Sequence, residues 1–462
     1  MSEYTREEIL KLIEEHGGPE GLDLSGKDLS GINLSREAIA EELEKARERA
    51  PSEIPVWYSE WTEGINLEGA NLREANLESS NLQGADLVDA NFQEANLKDA
   101  NFQEANLEGA NLREANLWST SLQGAGLGKA NLQWAYLEGA NLQEAYLDAA
   151  DLRGATLRDA NLQETNLPGA ELQGAHLGGA DLLEANLQYA QLYWASLPEA
   201  KLQKADLRCA KLKGAYLKGA NLQAAKLDFA NLHGANLRYS HLEKVDFFGA
   251  ESLEGAYFYN AFLDNTRMRR EQLGGAIGEE LEGDYDIAKE AYLALKNNFA
   301  EIGRYRDESW AYVKERQMGK MMNHPRLARK YYGEELPENP DAWRLAWFYA
   351  RHTAKWAADW VVEWTCGYGE SVLRTLRAMV VALVGFAVLY RLLGAVVDVS
   401  GNPSSSWLHC LLYSGGAFTT FGVDTLRPAN DWIRALSILE SVVGIALTGL
   451  LGFVLGNRIR RA

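Results

Sequence analysis

The sequence predicts a chain in two parts: a β-coil solenoid of five-residue units and an all-α module of two membrane spans, joined by helices. Three observations predict this. From Leu67 to Phe247 every fifth residue is Leu or Phe, 37 times without a break. Ala378–Val397 and Ala435–Gly456 are apolar and about long enough to cross a bilayer. Between them lies Ser404–Phe418, semi-apolar and too short to cross, followed by Thr419-Thr420-Phe421-Gly422.

In the repeat, Ala stands two positions before nearly every apolar residue (Ala70, Ala75, Ala85, Ala90), and Asn or Asp commonly lies between them. Period five suits no helix, because at 100° per residue the leucines would spray around the axis. It does not sustain strand alternation either. A coil with flat sides of five residues fits. Leu and Ala point inward, the remaining positions face water, and the second inward site admits only a small side chain. With Ala-(Asn/Asp)-Leu-x-x as its unit, the region resembles the pentapeptide-repeat family. That resemblance implies a right-handed quadrilateral β-helix of four units per coil. Leu67–Phe247 would then make about nine coils, a column on the order of 45 Å long.

Leu24, Leu29 and Leu34 form a shorter run, and Ser35–Arg49 reads as a helix with Ser35 as N-cap. Residues 1–63 are therefore expected to be an N-terminal helical cap with a short repeat run, covering edge strands that would otherwise be open. The column proper is 64–265. Its phase slips by one near Leu253, giving Phe258 and Leu263.

The formal charge is −19 and unevenly spread, +3 from Glu370 onward and −22 before it. An acidic column stays soluble and repels nucleic acid and anionic lipid. Acidic members of the family mimic DNA, but here Arg73, Lys98, Arg113, Lys201 and Lys204 are interleaved with Glu, and a mimic would not need two spans. No nucleic-acid partner is expected. Gly124-Ala-Gly126-Leu-Gly128-Lys129 imitates a phosphate loop, yet Gln123 occupies the first glycine's place and Ala130 that of the Ser/Thr. Cys209, Cys366 and Cys410 make neither a disulfide framework nor a zinc site, and the seven histidines show no ligand spacing. Nothing reads as an active site, a cofactor site or a metal site. Met1–Leu12 is charged and lacks the apolar region of a signal peptide, so the column is expected in the cytoplasm.

Residues 281–336 read as a helical-hairpin linker: Tyr285–Glu301, with Ile287, Ala291, Leu295 and Phe299 inward, then Glu308–Met322, with Trp310 and Val313 inward, broken at Gly303. The pair resembles a single tetratricopeptide-like hairpin. Residues 340–369 follow, where Pro340 opens the helix Asp341–Trp364 and Trp356, Trp360 and Trp364 recur every four residues. With Arg344, Arg351, His352 and Lys355 as polar partners, this helix is expected to lie on the inner membrane surface. Cys366-Gly367-Tyr368-Gly369 precedes the first span and reads as a turn.

Residues 370–462 form the membrane module. Arg374 and Arg377 precede the first span and Arg458, Arg460 and Arg461 follow the second. The positive-inside rule then puts both termini in the cytoplasm of a multi-pass cell (inner) membrane protein. Arg391, near the far end of the first span, can snorkel. Phe418-Thr419-Thr420-Phe421-Gly422-Val423-Asp424, with Pro428 beyond, resembles the filter of two-span potassium-type channels, Thr-Thr-Val-Gly-Tyr-Gly-Asp. The second span, with Glu440, Gly444 and Gly449, is similar to their inner helix. The resemblance implies an all-α two-span pore domain with a re-entrant loop, a homotetramer, and a filter of Thr419, Thr420, Phe421, Gly422, Val423 and Asp424. In such a filter, rings of backbone carbonyls take the place of an ion's hydration water. Permeant potassium and sodium are its ligands, and no other cofactor or metal is implied. Aligned without a gap, Val423 stands for the family's Tyr and Asp424 for its second Gly, whose backbone has φ > 0; aligned on the Asp, one filter residue is missing. Weak discrimination between the two cations is the consequence expected.

Two functions follow from these readings. One is a cation channel of the tetrameric pore-loop type whose cytoplasmic β-helix serves as sensor or docking arm. The alternative is a membrane-anchored scaffold that binds a protein partner through the β-helix and does not conduct. Only conduction requires the Thr419–Gly422 loop.

Overall fold

The computed structural model describes residues 4–18, 22–35, 65–337, 340–404 and 406–460. They divide into two compact units, Met1–Gly303 and Arg304–Ala462.

In the first unit parallel bridges join residues twenty apart along the repeat, as in Asn71↔Asn91↔Asn111↔Asn131, so each coil consists of four five-residue sides. The inward Leu and Ala are almost wholly buried from Ala70 to Ala235. Each side ends in a tight corner whose last residue has φ near +55° to +60°, as at Glu74, Glu94 and Asp159, or is Gly, as at Gly84. Left-handed backbone is strained for most residues. The ladder offsets this at most corners, since the corner N–H donates to the coil above (Glu94 N to Arg113 O, 3.0 Å). Asn between the two inward residues works twice. Its Oδ1 accepts from the amide two residues on, closing the corner (Asn101 to Gln103 N, 3.1 Å), and its amide nitrogen donates to the Asn one coil away (Asn101 to Asn81 Oδ1, 2.9 Å). Where Ser or Thr replaces the inward Ala, the hydroxyl finds a carbonyl: Thr120 reaches Leu97 O at 2.9 Å and Thr165 reaches Leu142 O at 2.8 Å. The core therefore contains no unpaired hydroxyl at these sites.

The short run before the repeat is a coil of the same column, because Asp23, Asp28 and Asn33 bridge Asn66, Asn71 and Asn76. Before it stands helix α1 (Arg6–His16), opened by a Thr5–Glu8 capping box and burying Ile9, Leu10 and Ile13. The cap's helix is expected at Ser35–Arg49 and not here, although Thr5 with Glu8 and the spacing of Ile9, Leu10 and Ile13 carry a readable signal. The helix expected over Ser35–Arg49 lies outside the described residues.

The phase slip is real. Beyond Phe229 the bridges join residues 21 apart, Asn231↔Ser252 through Asp246↔Arg267. The far end of the column is then closed by side chains that stand in for the missing next coil. Glu279, in the short helix α2 (Gly278–Glu282), accepts from Phe258 N and Tyr259 N at 2.8 Å each. Asn298 and Glu301, in helix α3 (Tyr285–Glu301), accept from Thr266 N at 3.0 Å and Asn265 N at 3.3 Å. Side chains of a docked helix thus satisfy the open edge that a solenoid must otherwise expose. Burial raises the carboxyl pKa of Glu279, opposed by the two amides it receives and by Arg238.

Helix α3 has the predicted bounds, with Ala291, Leu295 and Phe299 buried, but Ile287 is only half-buried. Gly303, at φ +73°, marks the division between units. The two helices read as one hairpin are therefore shared out, α3 to the column and α4 (Tyr305–Met322) to the second unit, where Ala311 and Met318 are its buried apolar residues. After α5 (Ala328–Tyr332) comes α6 (Ala342–Cys366), capped by Asp341, whose carboxylate accepts from Arg344 N at 2.7 Å. Its exposed tryptophans are Trp343, Trp347 and Trp360. The periodicity had selected Trp356 and Trp364, but protein contacts take these two. Trp356 meets His324 edge-on at 5.4 Å, and Arg377 covers Trp364 at 5.4 Å.

His352, on the inner side of α6, is fully buried between Tyr332 and Phe348, with ring centroids at 4.6 and 4.5 Å, and its Nδ1 lies 2.8 Å from Asn323 Oδ1. Burial lowers its pKa below 6.5, aided by Lys355 and Arg351 and opposed by Glu335. A depressed folded value means that the stability contributed by neutral His352 is complete above 6.5 and is lost as pH falls through the folded value. Mild acidification should therefore loosen α6 from the 323–335 segment, seen as a shift in tryptophan emission. His352→Phe should flatten that shift, and an unchanged pH profile in the variant would refute the assignment.

The second unit continues with α7 (Val372–Leu392) and α9 (Asp431–Arg460), both long and apolar enough to cross a membrane. The first predicted span ran to Val397, whereas the helix ends at Leu392. Gly394, at φ +57°, breaks it, and Val396–Asp398 (β1) pairs antiparallel with Leu426–Pro428 (β2). β-Branched Val396 and Val397 suit that ribbon better than another helical turn. Arg391 does not hang free, because its guanidinium covers the Trp407 ring at 4.7 Å.

Candidate functional site

Helix α8 (Trp407–Thr419) lies between α7 and α9 in sequence and packs against both. Through Cys410 and Tyr413 it joins a small apolar core with Tyr390, Val396, Leu426 and Ile433, in which Tyr390 and Tyr413 meet edge-on at 5.1 Å. The β1–β2 ribbon closes this core from outside the helices, which fixes where the chain re-enters α9.

The loop read as a filter follows α8 directly. Thr419 is the last helical residue, its hydroxyl donating to Gly415 O at 2.7 Å. Thr420 terminates the helix at φ +64°, its amide donating to Ala417 O at 3.2 Å. Gly422, at φ +67°, donates to Gly416 O at 3.0 Å, and Leu426 N donates to Val423 O at 3.1 Å. The positive φ expected at Asp424 is not there; the described residues of this loop adopt it at Thr420 and Gly422 instead. The bond from Gly422 N back to Gly416 O turns the chain toward α8 at that point.

Thr419, Thr420, Phe421, Gly422 and Asp424 are all exposed, Phe421 to 92%, and Val423 is half-buried. A ring so bare packs against little among the described residues. A cavity of about 390 Å³ opens beside the loop, lined by Gly416, Thr420, Gly422, Asp424, Ser437 and Ser441.

Helix α9 holds α8 along one seam. Ser441 Oγ donates to Ala417 O at 2.7 Å. A Cβ on Gly444 would stand 2.0 Å from Phe418 O, so glycine is what lets the two backbones touch. Gly449, by contrast, faces open space. Glu440 is 0% exposed and receives the Tyr390 hydroxyl at 2.7 Å on Oε2 and the Ser414 hydroxyl on Oε1. Ser414 Oγ also lies 2.8 Å from the Leu383 carbonyl. The sequence reading found Glu440 and Gly444 but missed Gly416, Ser414, Ser441 and Tyr390. Gly416 carried a readable signal, since a glycine inside a helix commonly marks close backbone approach; a Cβ there would meet Val423 Cγ2 at 2.6 Å. The others are single hydroxyls with no periodic signature. Among the described residues no group of His, Cys, Asp and Glu could hold a metal ion.

Comparison with known proteins separates the same two parts. Residues 63–132 match the model of a pentapeptide repeat region, and overlapping segments from 130 to 270 match pentapeptide repeats. Residues 386–461 match an ion channel model. Among solved structures, a pentapeptide repeat protein involved in heterocyst differentiation regulation, from the cyanobacterium Nostoc, is 30% identical over 50% of this chain and 96% of its own, with TM-score 0.23. A pentapeptide repeat protein of the Arabidopsis thaliana thylakoid lumen is 30% identical over 23% of this chain and 68% of its own, with TM-score 0.14. A plasmid-mediated fluoroquinolone resistance protein is 19% identical over 37% of this chain and 84% of its own, with TM-score 0.20. No curated protein matches the chain.

Proposed function

For this chain, which belongs to the pentapeptide-repeat family and carries an ion-channel domain over residues 386–461, we propose a cation channel of the tetrameric pore-loop type. The column, a right-handed quadrilateral β-helix in this reading, serves as its cytoplasmic sensor or docking arm. The observation that carries the proposal is the bare loop from Thr419 to Asp424, set on the end of a helix clasped between two membrane-length helices. One chain offers one exposed loop, and a ring of four would enclose a path. Thr420, Phe421, Gly422 and Val423 are proposed to supply the carbonyl rings, with α8 and its loop re-entering from the outer side. Four Asp424 carboxylates at the mouth would concentrate cations and repel anions. Gly422 is the one family glycine kept, and the strand-like continuation beyond it is shortened by the Val423–Leu426 turn. Fewer rings favour poor discrimination between potassium and sodium. Both termini are placed in the cytoplasm of the inner membrane, with α6 on its surface through Trp343, Trp347 and Trp360. Exposed Trp134, Tyr189, Trp194 and Phe229 on the column offer contact area to a protein partner.

The test is a mass measurement of the full chain in detergent followed by single-channel recording in planar bilayers with ion substitution. Four chains and cation currents whose reversal potential responds to both sodium and potassium are expected. A stable monomer or dimer, or silent bilayers, would reject the channel and leave the membrane-anchored scaffold.

A further inference from the structure

We infer that Glu440 is the positioning residue of the proposed filter: its one carboxyl group ties α7, α8 and α9 together behind the filter loop, and it acts there as a hydrogen-bond acceptor and not as a pore-lining charge. The inference rests on the channel reading for its consequence and on geometry for its substance.

A buried carboxyl group in an apolar span is costly unless every polar atom around it is paired. Here the partners come from all three helices. Tyr390 is two residues from the end of α7 and gives its hydroxyl to Oε2 at 2.7 Å. Ser414, mid-way along α8, gives its hydroxyl to Oε1 and sits 2.8 Å from the α7 carbonyl of Leu383. One side chain of α9 therefore fixes the middle of α8 against α7. The next contacts down the same face of α9, Ser441 to Ala417 and Gly444 to Phe418, fix the last turn of α8. Ala417 and Phe418 stand immediately before the loop and Ser414 one turn further back, so any slip of α8 along this seam moves Thr420, Phe421 and Gly422. Glu440 is fully buried, which removes it from any aqueous path along this chain's own exposed loop.

The chemistry makes a sharp distinction between variants. A glutamine can satisfy the same constellation: its carbonyl accepts from Tyr390, and its amide donates to Ser414 Oγ, which then donates to Leu383 O. An alanine leaves the Tyr390 hydroxyl without its acceptor and frees α8 at Ser414.

The experiment uses the full chain with half-buried Cys209 changed to Ser, a residue the column already accepts at equivalent corners such as Ser79 and Ser119. A nitroxide is placed at Phe421→Cys, with a second preparation labelled at Trp343→Cys as control, and label mobility is read by electron paramagnetic resonance. Unlabelled Glu440→Ala and Glu440→Gln are compared in bilayers with sodium and potassium. Glu440→Ala, which removes the acceptor of both Tyr390 and Ser414, is expected to mobilise the Phe421 label, leave the Trp343 label unchanged and lower the time-averaged current by about tenfold or more, the scale of two lost buried hydrogen bonds acting on the population of the competent loop. Glu440→Gln is expected to restore both readouts. A Phe421 label indifferent to Glu440→Ala overturns the inference, as does a Glu440→Gln variant as impaired as the alanine. Should Glu440→Ala fail to assemble, Tyr390→Phe and Ser414→Ala carry the same label test, and unchanged mobility in both overturns it. If the wild type is silent in bilayers while the label still responds, the channel reading fails and the positioning role stands.

Discussion

Replacing Leu152 by Lys is expected to abolish the cooperative unfolding transition of the repeat column. Leu152 is 0% exposed, in a shaft whose neighbours above and below are further leucines, such as Leu132 and Leu172. An ammonium group there finds no carboxylate and no water. The cost is the desolvation of an unpaired charge, several kcal/mol at least, added to about 2–3 kcal/mol of lost apolar burial. Coils stabilise only their neighbours in a solenoid, so the defect should split the column and not lower its stability uniformly. Circular dichroism melting of the isolated variant should show a broad, early transition, and Leu152→Ala a smaller shift of about 2–5 kcal/mol. A Leu152→Lys protein with a native melting curve would refute an apolar, continuous shaft.

Gly444→Ala should have the largest effect in the membrane module. The added Cβ would stand 2.0 Å from Phe418 O and 2.9 Å from Phe418 C, both backbone atoms at the end of α8. Neither can swing aside as a side-chain tip would, so the helices must part or α8 must shift, and overpacking of this kind costs about 1–3 kcal/mol or more. Because Phe418 immediately precedes the proposed filter loop, the outcome expected of the proposed tetrameric channel is loss of assembly, or an assembly with no measurable current. Gly449→Ala is the control. Its Cβ meets nothing within 4 Å, and alanine is the better helix former by about 1 kcal/mol. It should leave the thermal stability of the purified protein equal or higher. A Gly444→Ala channel that assembles and conducts normally would mean that α8 and α9 are not held where the structure places them.

The repeat could be read from sequence because it states one constraint many times. A single Leu predicts little, but Leu every fifth residue, with Ala two before it, leaves a flat-sided coil as the geometry that buries both. The ladder of residues twenty apart then follows from stacking. The one-residue slip near Leu253 was legible for the same reason, as a break in phase. Trp356 and Trp364 were legible as tryptophans but not as exposed ones. Which of five tryptophans faces outward depends on where His324 and Arg377 happen to lie.

The sequence by itself determined the solenoid, the two apolar spans and the placement of Thr419-Thr420-Phe421-Gly422 between them, since each is written in local composition and period. Tertiary structure alone decided how the column ends and how the loop is held. Glu279, Asn298 and Glu301 close the last coil by reaching back some 20 to 36 residues to its amides. Tyr390, Ser414 and Glu440 meet across 26 and 50 residues. Hydrogen bonds of that reach leave no periodic trace, because each needs one polar side chain at one point. That point is set only when the helices carrying it have packed.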